Sequence, residues 1–277
     1  MDAFTSKQRM FSTISLLAIS IIFAPLTQAQ VTISDEQTTE QETGGEDLTI
    51  DATGSVILDT PGPAVTLNSD NALSNSGIIA ITNVDNATAV SLEGGTNRSF
   101  TNSNTISVVE DFTPEDTDAD EVGGDAFVDG PFAEGAGRTG ILISGASPFE
   151  GNIDLETTSV VNVEGNDSFG INLTNTSMAQ VGLTGDLTNA GQINVLGTNA
   201  TGINLASGLT GNFDNSGTIT TTGQGAQAVN IAADIEGGFV NAGSAINTGF
   251  RFATRLGLSN EDLGILGRDQ LLSLIHI

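Results

Sequence analysis

Three carboxylates at alternate positions, Asp116, Asp118 and Asp120, have the spacing of a calcium-binding loop. Such loops collect hard oxygen ligands from alternate residues, close a sharp turn with glycine, and end on a bidentate glutamate. Here Glu121 stands where the glycine belongs and Phe127 where the glutamate belongs. The residues therefore favour a solvated acidic loop over a calcium site, and no other cofactor is expected. A second chemistry to consider is polysaccharide cleavage, which needs two convergent carboxylates. Asp186 and Asp214 sit near a glycine corner, where a solvated turn is the simpler reading. Lyase chemistry also wants a base in the groove, and Arg98 and Arg138 are the cations that fall among the repeats. The single histidine, His276, lies at the extreme end. No nucleophile elbow, zinc motif or phosphate loop occurs. No catalytic residue is assigned, and a secreted lyase or glycosidase is kept as the alternative function.

The acidic residues belong to a larger pattern. Residues 110–135 carry ten carboxylates and no base, inside a chain of 277 residues with formal net charge −27. Unpaired carboxylates resist burial, so this stretch is expected to loop out as an insert. The first 29 residues read as a signal peptide. Lys7 and Arg9 precede an apolar run from Phe11 to Leu26, and Thr27-Gln28-Ala29 supplies a small-residue cleavage site after Ala29. The run is too short for a spanning helix. Without these residues the charge is −28, and the only cations besides His276 are Arg98, Arg138, Arg251, Arg255 and Arg268. Nucleic-acid binding needs a cationic footprint and is excluded. There is no cysteine, so stability must come from packing and hydrogen bonds.

Elements that could position any site come from repetition. Gly185, Gly211 and Gly237 are evenly spaced, as are Asn189, Asn215 and Asn241. Ile203-Asn-Leu205 becomes Val229-Asn-Ile231, and Ile193 becomes Ile219, at the same interval of about 26 residues. Looser copies reach back to Leu48. Apolar residues alternate at i and i+2, as in Val161/Val163 and Ile106/Val108, which is strand spacing. Gly and Asn between them suit tight corners. The reading is all-β: a right-handed parallel β-helix of six to seven coils over residues 47–250, three strands per coil. Leu187, Phe213 and Phe239 are expected to stack inside, with Ile193 on Ile219, Ile203 on Val229, and Leu173, Leu205 and Ile231 in a third column. The Asn positions are expected to form an amide ladder.

Residues 30–46 show no repeat phase and read as a flexible acidic lead-in. Residues 251–271 leave the pattern as a connector. Residues 272–277, LSLIHI, resemble a translated sequencing-library adapter, so the natural chain is expected to continue past Leu271.

Asn189-Ala-Gly-Gln-Ile-Asn194 and Asn215-Ser-Gly-Thr-Ile-Thr220, each followed by Ala-x-Gly-Ile-x-Leu or Ala-x-Ala-Val-x-Ile, resemble autotransporter passenger domains of Gram-negative bacteria. Ile246-Asn-Thr-Gly-Phe-Arg-Phe252 resembles a connector of alphaproteobacterial members. The likeness covers residues 47–255. It implies a surface-displayed structural or interaction protein, adhesive in some settings. The inner-membrane export machinery would be a partner, and a C-terminal outer-membrane β-barrel would lie in the missing part. The resemblance names no surface ligand.

Overall fold

The computed structural model describes residues 29–113, 131–175 and 181–249. Strands wind through three long sheets in turn, and every strand pairing is parallel. The first sheet has eight strands, from Gln30–Ile33 through Leu187–Asn189 and Phe213–Asn215 to Phe239–Asn241. The second also has eight, ending in Gln192–Leu196, Thr218–Gly223 and Ser244–Gly249. The third has seven and ends in Gln227–Ile231. None closes on itself. At a strand spacing of ~4.8 Å, the eight-stranded ladders span about 34 Å. This is a parallel β-helix.

The alternation sets the core. Leu187 lies beside Phe213 and Phe213 beside Phe239. Ile193 lies beside Ile219, Ile203 beside Val229, and Leu173, Leu205 and Ile231 form one column. Most of these side chains are fully buried. Phe239 and Ile231 are exceptions, at 48% and 43% exposed. Their partners lie one coil back, because they belong to the last described coil. Corners demand special backbone: Asn199 (φ 55°) and Gly225 (φ 72°) stack in the left-handed region that glycine and asparagine tolerate best.

Residues 30–46 correct the sequence reading. Gln30–Ile33 pairs in register with Asp47–Ile50, Glu36–Gln37 with Ser55–Val56, and Gln41–Glu42 with Val65–Thr66. They form a short first coil. Ile33 is buried beside Ile50 of the next coil. A second difference is a fourth face. Phe149–Glu150, Val181–Thr184 and Gly208–Leu209 make a three-stranded sheet, with Phe149, Leu183 and Leu209 buried in its column.

The amide ladder exists and has one gap. Asn75 Nδ2 donates to Asn102 Oδ1 at 2.7 Å. Asn189 Nδ2 donates to Asn215 Oδ1, and Asn215 Nδ2 to Asn241 Oδ1, each at 2.7 Å. Between the runs, Leu155 occupies the slot beside Asn189. Asn102 Nδ2 turns instead to Ser159 Oγ, and Asn189 Oδ1 is buried with no hydrogen-bond partner. Replacing Leu155 with Asn supplies the missing donor but loses apolar burial. Leu155→Asn should therefore cost about 1 kcal/mol less than Leu173→Asn, whose slot has no ladder. Chemical denaturation of the two variants checks this; equal costs would show that the gap carries no penalty.

Candidate functional site: the outward faces and the neck of the acidic insert

Alternate strand residues point out, with Asn, Thr and Ser prominent among them, as in the row Ser107, Asn162, Asn194 and Thr220 of the second sheet. On the third sheet Asn204 Nδ2 donates to Asn172 Oδ1 (2.9 Å) and Asn230 Nδ2 to Asn204 Oδ1 (2.8 Å). On the second, Asn194 Nδ2 donates to Asn162 Oδ1 at 3.0 Å. These bonds fix the amides in rows, with further polar atoms presented to solvent. A shallow groove of about 390 Å³ runs along the second sheet, lined by Val109, Asn162, Glu164, Asn194, Leu196 and Thr220. Another of about 480 Å³ crosses the first sheet, lined by Thr101, Asp154, Glu156, Thr157, Thr188 and Ala190.

The insert leaves the wall through a built neck. Glu110 follows the strand Thr105–Val109, and Arg138 precedes Thr139–Ser144. Arg138 is 2% exposed. Its Nη1 donates to Glu110 Oε2 (2.7 Å) and to the Glu164 carbonyl (2.6 Å), its Nε to the Val84 carbonyl (2.9 Å), and its Nη2 to Asp85 Oδ1 (3.2 Å). Glu110 in turn accepts the N–H groups of Glu134 and Gly135, at 2.7 and 2.8 Å. Asn83 and Asp111 exchange two hydrogen bonds, at 2.7 and 2.8 Å. Both stems are thus tied to each other and to the coils on either side.

Glu110 corrects the expectation that all the insert's carboxylates stand in solvent: its side chain is 7% exposed. A buried carboxylate is retained where a cation and hydrogen bonds compensate it. Asp116, Asp118 and Asp120 lie outside the described residues, as do residues 1–28 of the signal segment, His276 and residues 250–277. Among the described residues no cluster of three or more acidic, His or Cys side chains could hold a metal ion.

The two arginines considered as a base sit in different surroundings. Arg138 is spent on the neck, and the exposed Arg98 donates its Nε to the Asp70 carbonyl at 2.7 Å. Asp186 serves a corner, accepting from Asn212 N (2.7 Å) and Nδ2 (3.1 Å). Asp214 points outward in register with Thr188, which lies beside Asp154. The neck was missed because its parts lie far apart in sequence; the signal was one arginine in an otherwise anionic stretch.

Burial raises the Glu110 pKa, but the Arg138 hydrogen bond and charge and the two N–H donors outweigh it and hold the carboxyl below its ordinary 4.5. Asp51 is held at about 2, chiefly by the Ser34 hydroxyl, then by Thr53 and Gly54. Groups whose folded pKa is depressed add stability above the unfolded pKa and lose it as pH falls through the folded one. The thermal midpoint should be level above about pH 5 and fall as acid approaches pH 2. Melting curves across that range test this; a midpoint independent of pH would contradict it.

The fold and its faces define a β-solenoid with ordered polar faces and a clamped acidic insert. No protein family, curated protein or solved structure matches the chain.

Proposed function

We propose that this chain is the exported passenger of a Gram-negative autotransporter, a surface-displayed structural and interaction protein. The observation that carries the reading is the rigid stack of coils with outward Asn and Thr rows, Asn172–Asn204–Asn230 above all. Ordered amides offer donors and acceptors at a fixed repeat along the stack without further side-chain ordering, which lowers the entropy cost of adhesion. The anionic surface suits neutral or cationic partners. Export machinery acts on the signal segment, and an outer-membrane β-barrel encoded downstream would place the passenger outside.

The test is the full reading frame, expressed in a Gram-negative host. A downstream barrel of alternating strands is expected, and protease added to intact cells should remove the solenoid. A frame that stops with no barrel, or a solenoid protected until the outer membrane is opened, would overturn the proposal. The enzyme alternative rests on the groove holding Asp154 and Glu156. Asp154→Asn abolishing release of sugar from a polysaccharide panel would favour it.

A further inference from the structure

The groove of the second sheet has two unlike walls. One is the outward row Asn162, Asn194 and Thr220. The other is Glu164, Leu196 and Thr222, and both rows run in register across three neighbouring strands. Val109 extends the second wall. The rows stand two residues apart along each strand, about 6.6 Å, and the backbone of Val163 and Val195 floors the space between them. The wall side chains are all half-buried.

These walls carry polar groups that are fixed yet not used up. Asn194 Nδ2 donates to Asn162 Oδ1 at 3.0 Å. That leaves Asn162 Nδ2 as a donor and Asn194 Oδ1 as an acceptor without partners among the described residues. Glu164 is pinned twice. Its carbonyl accepts Arg138 Nη1 at 2.6 Å, and its Oε2 accepts the Glu110 N–H at 3.1 Å. Its other carboxylate oxygen is left to accept. Beside it Val109 and Leu196 offer apolar surface. Donors, acceptors and apolar surface thus succeed one another along the stack at the ~4.8 Å strand spacing.

We infer that this groove binds an uncharged, extended polysaccharide lying along the stack axis; the inference rests on the interaction reading above and names its ligand class. Sugar hydroxyls both donate and accept, which matches an amide, a hydroxyl and a carboxylate in neighbouring slots. The C–H face of a pyranose ring fits Val109 and Leu196. A chain of linked pyranoses advances by roughly one strand spacing per sugar, so successive rings meet successive coils. The Asn162–Asn194 bond and the two ties on Glu164 hold these groups in place before the ligand arrives, which lowers the ordering cost of binding. A polyanion is repelled by the formal net charge of −27 and by Glu164 itself. A peptide gains little, because the floor strands are already paired on both sides and offer no edge for it to join. A cationic peptide is drawn to the acidic surface at large, not into a groove lined by one carboxylate. The same single carboxylate makes this a binding groove, since hydrolysis needs two.

The purified full chain is run in native gels cast with a neutral β-1,4-glucan, a galactomannan or a neutral α-glucan, and in one cast with polygalacturonate. At least one neutral polymer should retard it, polygalacturonate should not, and no sugar should be released. Asn194→Ala and Leu196→Asp should each weaken the binding about tenfold with little change in melting midpoint. Leu196→Asp leaves the amide row intact, so the two variants probe the walls separately. Thr188→Ala, in the groove of the first sheet, should bind as the parent does. The assay needs no barrel, so its failure and that of the passenger reading are separate results. No retardation by any of the neutral polymers would overturn the proposal, as would equal losses in Thr188→Ala and Asn194→Ala. A polylysine complex that Asn194→Ala weakens, with no neutral polymer bound, would make the occupant a cationic peptide instead.

Discussion

Arg138→Met should cost about 3–5 kcal/mol, the loss found when one partner of a buried ion pair is removed. The variant strands Glu110, 7% exposed, without its cation, and it leaves the Val84 and Glu164 carbonyls without a guanidinium donor. Methionine keeps much of the volume, so the effect reports charge and hydrogen bonding more than packing. Asp85 should matter little by itself, since its side chain is 59% exposed and its pair with Arg138 is open to water. The double variant Arg138→Met/Glu110→Leu should recover a large part of the loss, because no charge then remains buried. Denaturation of the four proteins in a cycle measures the coupling. A double variant as unstable as the sum of the single ones would show that the two residues act separately. Proteolysis at residues 110–135 should also rise in Arg138→Met, since the stems then lose the guanidinium that ties Glu110 to the Val84 and Glu164 carbonyls.

Ile219→Asp and Thr220→Asp make the second large contrast. Ile219 is fully buried between Ile193 and Ala245, and an unpaired charge there should cost several kcal/mol. Thr220, the next residue, faces the groove of the second sheet. Its change should stay within about 0.5 kcal/mol. Because each coil is stable only against its neighbours, Ile219→Asp should also loosen the strands on both sides. Hydrogen exchange would register this as lost protection in Gln192–Leu196 and Ser244–Gly249. Equal melting shifts for the two variants would contradict the inward and outward assignment.

The later coils were legible because their constraints repeat. Glycine recurs where a neighbouring backbone comes too close for any side chain: a Cβ on Gly217 would lie 2.0 Å from the Gly191 carbonyl oxygen. Asparagine recurs where an amide meets its copy. The first coil was not legible, because Val31 and Ile33 are too few apolar residues to announce a strand among carboxylates. The fourth face was hidden for another reason. Leu183, Leu209 and Ile235 recur at the repeat interval, but their strands are short and one includes Gly208. The neck could not be read at all, since Glu110 and Arg138 meet only when the coils above and below supply Glu164 and Val84. The amide ladder through Asn189, Asn215 and Asn241 was legible in the repeat. The anchoring of the insert was not.

Stacking of each coil on the next, in one fixed register, underlies every face and slot described above. Cysteine pairs test it directly in a chain that has none. Thr188→Cys with Asp214→Cys places thiols on register partners of adjacent strands, at the ~4.8 Å strand spacing and within the Cα separation a disulfide accepts. Thr188→Cys with Val240→Cys places them two coils apart, about 9.6 Å, beyond that reach. The measurement is the fraction of monomer that forms an intrachain disulfide under mild oxidation. The solenoid predicts near-complete closure for the first pair and almost none for the second; closure of the second pair with the first left open would contradict it.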